Sequence, residues 1–328
     1  MKDFNAKIAV VTGGGTGMGR ELVCQLIADG AHVAMCDLFA DNMAETAGIA
    51  SPQAGQRLTS HLCDVADEAQ MNRFRDEVMA QHDTDHIHLL FNNAGITGGG
   101  AFVDIDRKEW ERTFGVCWYG VYYGCLAFLP LLTASDEGHV INTSSVNGFW
   151  ASLGPGVSHT AYCAAKFAVK GFTESLMEDL RLNAPHVKAS VVMPGIIGTS
   201  ITMNRSRVHG KGGPLNMTDD EILAARERFE ARGVAVSNMT DEHIREMVLQ
   251  QAIAFQANAP TSAGQAANII LDGVRNDKWR ILVGNDAHAI DELVRAAPED
   301  AYTETFMDRI RDGGHLDFER MSRGPTRD

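Results

Sequence analysis

The chain has 328 residues, 45% of them hydrophobic and 22% charged, enough to bury one large α/β core without a second independent domain. A formal net charge of −14 speaks against a nucleic-acid or anionic-membrane partner. Six cysteines (Cys24, Cys36, Cys63, Cys117, Cys125, Cys163) lack C-x-x-C spacing and apolar runs such as 187–193 are of strand length, so a reducing cytoplasm, no signal segment and no membrane span are expected.

Residues 7–12 form a short apolar run that reads as a buried strand. It leads directly into Gly13-Gly-Gly-Thr16-Gly17-Met18-Gly19 and a helix start. Glycines there permit positive φ and let the backbone approach a pyrophosphate, whose charge the N–H groups of a helix N-terminus favour. A second apolar strand, 31–37, closes on Asp37, a carboxylate that can accept both ribose hydroxyls of NAD and repels a 2′-phosphate. Leu38 and Phe39 follow it and Thr16 occupies the turn, so no local cation favours NADP and NAD is the expected cofactor. The plainer role for Asp37 is to cap the next helix.

Further along, His82, His86 and His88 read as a polar loop before a strand, and no metal is expected. Trp118, Tyr119, Tyr122 and Tyr123 crowd one helix, where they pack a core or a subunit interface. Two adjacent serines, Ser144 and Ser145, lie in the stretch 140–148. Tyr162 and Lys166, four residues apart, then share one helix face. A fixed cation lowers a phenol pKa of about 10 by roughly 1–3 units, which would poise Tyr162 for proton transfer. Amphipathic helices also carry such pairs with Tyr at the core edge and Lys in solvent.

These motifs resemble a classical short-chain dehydrogenase/reductase over roughly residues 5–200 and 262–284. Thr12 and Gly13 through Gly19 are similar to that family's cofactor turn, Asp64-Val65 to its adenine contact, Asn92-Asn93-Ala94-Gly95 to its central-strand motif, and Pro194-Gly195-Ile-Ile197-Gly-Thr199 to its nicotinamide-side loop. The resemblance implies a Rossmann-type doubly wound parallel sheet, strand order 3-2-1-4-5-6-7, in a three-layer αβα domain with the site at the strand C-termini. That domain is expected over 1–284, with a helical extension at 285–328. It also implies roles. Tyr162 is the acid/base, Ser145 rather than Ser144 holds the substrate oxygen, and Lys166 tunes the phenol and binds the nicotinamide ribose. Thr199 holds the carboxamide, and a homodimer or homotetramer is expected. One departure stands out: Cys117 occupies the place of a family Asn that helps hold a helix distortion in a proton relay, and a thiol is a weak donor.

The enlarged regions point to the substrate. A Gly-, Pro- and aromatic-rich segment, 149–159, should rim the site, giving Asn147, Phe149, Trp150, His159, Ile201 and Met203 as candidate substrate contacts. The insertion 199–261 carries a capping box at Thr218/Glu221 before Ile222, Leu223 and Phe229. A second apolar stripe, Ile244, Met247, Val248, Ala252 and Phe255, follows behind Thr240. This reads as a lid with Met203, Met217 and Met239 as adaptable lining, or as helices packed on the body. Two short helices are expected around Ile290, Leu293, Val294 and around Tyr302, Phe306, Ile310, before a frayed end at 321–328. The expected activity is NAD-dependent interconversion of a bulky, apolar secondary alcohol (aryl, terpenoid or steroid type) and its ketone. The alternatives are a ketone reductase in the physiological direction, and a nicotinamide-binding protein impaired at Cys117.

Overall fold

The computed structural model describes residues 1–98, 100–152, 158–231 and 234–314. Its strands are β1 (Ile8–Thr12), β2 (His32–Asp37), β3 (Leu58–Leu62), β4 (Leu89–Asn92), β5 (Gly138–Thr143), β6 (Val187–Pro194), β7 (Ile197–Gly198), β8 (Thr261–Ser262) and β9 (Arg280–Val283). Seven of them form one parallel sheet in the order β3-β2-β1-β4-β5-β6-β9, the expected order with β9 as its seventh member. Every residue of β4 and β5 is buried, as a parallel strand covered on both faces requires. Alternate residues feed opposite cores: Val10, Leu90 and Val140 on one side, Val11, Phe91 and Ile141 on the other.

Helices α1 (Gly17–Ala28), α2 (Ala40–Ala50) and α3 (Glu68–His82) connect the first strands, and α6 (Thr160–Asn183) and α10 (Ala263–Arg275) cover the later ones. Between β4 and β5 the chain runs through α4 (Arg107–Phe114), a π-helical turn (Gly115–Tyr119) and α5 (Gly120–Thr133). That continuous run, Arg107–Thr133, is long and apolar enough to cross a membrane, contrary to the expectation that apolar runs are of strand length. In the fold 61% of its most apolar window is buried, with Val121 and Phe128 in the core.

The insertion forms α7 (Ile201–Val208), α8 (Asp219–Ala231) and α9 (Asp241–Asn258). Its two ends meet where β7 pairs with β8, Ile197 opposite Thr261 and Gly198 opposite Ser262. Ile222, Phe229 and Ile244 pack with Met217, Met239 and Met247 into a small core shared by α8 and α9. Met217 and Met239 therefore fill the insertion's own interior, and Leu223, on the predicted apolar stripe, is exposed. The Thr218/Glu221 box forms, with Thr218 N–H donating to Glu221 Oε2 at 2.8 Å and Glu221 N–H to Thr218 Oγ1 at 3.4 Å.

Two C-terminal helices, α11 (Asn285–Ala296) and α12 (Glu304–Asp312), follow as expected. Ile290, Ala301, Phe306 and Ile310 bury one another around Trp150. The end at 321–328 and the middle of the rim segment, 153–157, lie outside the described residues.

Candidate active site

Ser145 follows the C-terminal end of β5, and Tyr162 and Lys166 lie in the first two turns of α6, so adjacent elements of the sheet bring the three together. The two serines point differently. Ser144 Oγ donates to the Lys166 carbonyl at 2.7 Å, fastening β5 to α6. Ser145 hydrogen-bonds the Tyr162 phenol and accepts the Asn147 N–H at 3.1 Å. Gly148 is required at this junction, because a Cβ there would lie 2.2 Å from Ser144 Oγ and 2.8 Å from the Lys166 carbonyl.

The expected depression of the phenol does not appear in this geometry. The Lys166 ammonium lies 5.5 Å from the Tyr162 ring centroid and donates to the Thr143 carbonyl at 2.8 Å. Burial raises the Tyr162 pKa well above the ordinary phenol value, the neighbouring Cys117 adds to the rise, and the Ser145 hydrogen bond offsets it in part. Burial likewise lowers the Lys166 pKa.

Cys117 sits fully buried in the middle of the π-helical turn, where the Gly120 N–H reaches back to the Gly115 carbonyl, five residues earlier. Its thiol donates to the Ile96 carbonyl at 3.3 Å, and it lies near Gly95, whose Cβ, were there one, would be 4.0 Å from Cys117 Sγ and 3.6 Å from Lys166 Nζ. A helix distortion is thus present around Cys117.

On the other side of Gly95 lies the glycine turn. Gly13 and Gly17 have φ of +68° and +56°, which L side chains rarely adopt. A Cβ on Gly19 would lie 1.9 Å from the Gly13 carbonyl. Thr12 ties this turn to β4 by accepting the N–H groups of Asn93 and Ala94 at 3.0 and 3.1 Å. Asn93 Nδ2 returns a hydrogen bond to the Thr12 carbonyl at 3.1 Å. Asp37 Oδ2 accepts the Gly15 N–H and Oδ1 the Phe39 N–H, each at 3.0 Å. Asp64 is held by Arg112 of α4 at 2.6 Å, and Val65 lies against Gly120. Thr199 borders Gly17 across the cleft, within 3.1 Å of where a Gly17 Cβ would stand, and Ile197 is buried beside it. Met18 packs against the core, and Leu38 is half-buried beside Asp37. A glycine cradle that side chains would fill, a helix N-terminus and an acid at the end of β2 fit a dinucleotide.

The substrate candidates divide. Trp150 is 1% exposed, donates from Nε1 to the Ala301 carbonyl at 2.8 Å and packs on Phe306, while Phe149 joins the same cluster. Asn147 is buried and spends its amide on the carbonyls of Trp150 and Ser152. These contacts build the rim of the site. His159 stays near the reacting groups, its ring edge-on to Tyr162 at 6.2 Å and its buried Nδ1 without a partner among the described residues. Ile201 and Met203 are half-buried on α7 beside Thr199. An open depression of about 800 Å³ is lined by Ala151, Ser158, His159, Thr160, Cys163, Ala164 and Phe167, and so borders the His159 ring that packs on Tyr162.

Sequence reasoning missed several residues. Asp286 of α11 accepts the Ile196 N–H at 2.6 Å and so props the Pro194–Thr199 loop; a Cβ on Gly195 would lie 2.2 Å from its carboxylate. Tyr302 accepts the Ala151 N–H at 3.0 Å. Arg207 of α7 stacks on Phe39 at 3.8 Å, so a cation does stand at the adenosine end, contrary to the local reading. Only chain folding brings these positions to the site, and no local pattern marks them.

Comparison with known proteins agrees with this geometry. The short chain dehydrogenase family model matches residues 7–209. SadH of Mycobacterium tuberculosis, an oxidoreductase by name, is 35% identical over 295 residues, 90% of this chain and 92% of that one. Human epidermal retinol dehydrogenase 2 is 31% identical over 202 residues, 61% of this chain and 63% of that protein. The crystal structure of a short chain dehydrogenase/reductase from Burkholderia phymatum in complex with NAD superposes with a TM-score of 0.71 at 27% identity, covering 92% of this chain and 95% of that one. The chain belongs to the short-chain dehydrogenase/reductase family and is an oxidoreductase of that type.

Proposed function

We propose that this oxidoreductase uses NAD to interconvert a bulky, largely apolar secondary alcohol, of aryl, terpenoid or steroid type, and its ketone. The observation that carries the reading is the convergence of Ser145, Tyr162 and Lys166 at the same C-terminal sheet edge as the glycine turn and Asp37. When bound, the dinucleotide supplies the hydride acceptor or donor. Ser145 orients the substrate oxygen toward the phenol it already hydrogen-bonds. Tyr162 takes the hydroxyl proton in oxidation and returns it in reduction. Lys166, anchored on the Thr143 carbonyl, has further donors for the nicotinamide ribose and supplies positive charge when a phenolate forms. The cofactor preference rests on Asp37, and His159, Ile201 and Met203 are the side chains that meet the substrate.

Retention of the π-helical turn around Cys117 argues against an impaired binder. A homodimer or homotetramer is supported by the exposed Tyr119, Tyr122, Leu126 and Phe167 on α6 and the helix beside it. A cytoplasmic location is supported by six unpaired cysteines.

The direct test is incubation with NAD, and in parallel NADP, and secondary alcohols from small aliphatic to aryl and steroidal, following reduced nicotinamide. Turnover of the bulky members supports the reading. Preference for the smallest alcohols would overturn the substrate class, and silence in both directions despite NADH binding would favour the impaired binder.

A further inference from the structure

Arg207 lies near the C-terminal end of α7, and its position is set by contacts of that helix and the residues just after it. Asn204 Nδ2 donates to Thr16 Oγ1 in the glycine turn at 3.3 Å, Arg205 pairs with Glu109 of α4 at 2.6 Å, and Lys211 reaches the same carboxylate at 3.3 Å. Arg207 itself crosses to the β2–α2 connection. Its guanidinium carbon lies 3.8 Å from the Phe39 ring centroid, and its Nη2 donates to both carboxylate oxygens of Asp41 at 2.9 Å. Phe39 is the residue whose N–H holds Asp37 Oδ1. The insertion therefore sets a planar cation on Phe39, two residues beyond the carboxylate that would bind the adenosine ribose.

Without that cation, the end of β2 presents two carboxylates, Asp37 and Asp41, and would reject a 2′-phosphate strongly. The other nearby guanidinium, Arg20, is committed to the Gly15 carbonyl, Thr46 and Glu45. Arg207 neutralises Asp41 and keeps donors beyond the single Nη2 it commits there, in the fork geometry suited to phosphate oxygens. Its charge also draws the Asp37 pKa down, against the burial that raises it.

We propose that Arg207 is a specificity-determining residue of the cofactor site, supplied by the lid, which lets a pocket built around Asp37 admit NADP as well as NAD. The proposal rests on the dinucleotide reading above. A ribose hydroxyl needs only Asp37, whereas a 2′-phosphate needs the cation, so loss of Arg207 should be felt by one nucleotide and not by the other.

The test is titration of the full chain with NADH and with NADPH, read by nicotinamide fluorescence without substrate. Wild-type protein is expected to bind both, NADPH within about tenfold of NADH. Arg207→Gln should weaken NADPH at least about tenfold and NADH less than about twofold, and Arg207→Lys should restore part of the NADPH affinity through charge alone. Equal weakening of both nucleotides would make Arg207 a fastener of the lid, and no weakening of either would make the Asp41 pair a surface contact. Each overturns the proposal while leaving the dinucleotide reading intact. Binding of neither nucleotide by the wild-type protein would overturn both.

Discussion

The Cys117 thiol donates to the Ile96 carbonyl at 3.3 Å from the middle of a π-helical turn, a weak donor at the position that the sequence resemblance aligns with an amide. The turn does not depend on that amide, because its defining hydrogen bond runs from the Gly120 N–H to the Gly115 carbonyl. Cys117→Asn should therefore preserve or raise turnover, by up to a few-fold if the amide improves proton relay to Lys166. Steady-state rates of the variant check this, and a loss of about tenfold or more would mean the helix is built around the thiol.

Tyr162→Phe removes the proton-carrying oxygen and leaves the ring on its helix. Turnover should fall by at least about two orders of magnitude, the usual worth of a positioned acid/base. NADH binding, read by fluorescence, should change less than about twofold, because the glycine turn and Asp37 are untouched. A variant that keeps most of its activity removes Tyr162 from the mechanism.

The raised Tyr162 pKa gives the two directions different pH profiles. Oxidation needs the phenolate, the minor form below the pKa, so its kcat/KM should rise with pH by up to about tenfold per unit into the alkaline range. Reduction uses the protonated phenol and should stay flat across neutral pH. An oxidation profile already level at pH 7 would show that Lys166 and bound cofactor together pull the phenol down.

Trp150 belongs to the rim and to the C-terminal helices at once, through its hydrogen bond to Ala301 and its contact with Phe306. Trp150→Ala should cost about 3–5 kcal/mol of stability, the range for removing a large buried aromatic. Chemical denaturation measures this. A cost under about 1 kcal/mol would mean that the C-terminal helices are not anchored through this side chain.

Much of the site was legible because its motifs are local. The glycine turn needs only a strand, a change of backbone sign at Gly13 and Gly17, and a helix start, all within a dozen consecutive residues. Tyr162 and Lys166 meet because α-helical periodicity puts residues four apart on one face. Asp37 reads as the end of a strand because the apolar run before it stops there. The parallel sheet and its strand order both came through resemblance.

The tertiary structure decided whatever depends on residues far apart in sequence or on the dielectric around them. Arg207 reaches Phe39 and Asp41 from α7, 166 residues beyond Asp41 in the chain, so a local reading of 37–39 found no cation. Trp150 looked like a substrate contact until α12 covered it, and Met217 and Met239 looked like pocket lining until α8 and α9 closed on each other. The phenol's pKa went the other way from the expectation because spacing tells how near a cation can come, whereas burial sets what an unpaired charge costs, and here burial dominates. Periodicity and turn chemistry belong to the chain itself; solvent exclusion and long-range pairing belong only to the folded molecule.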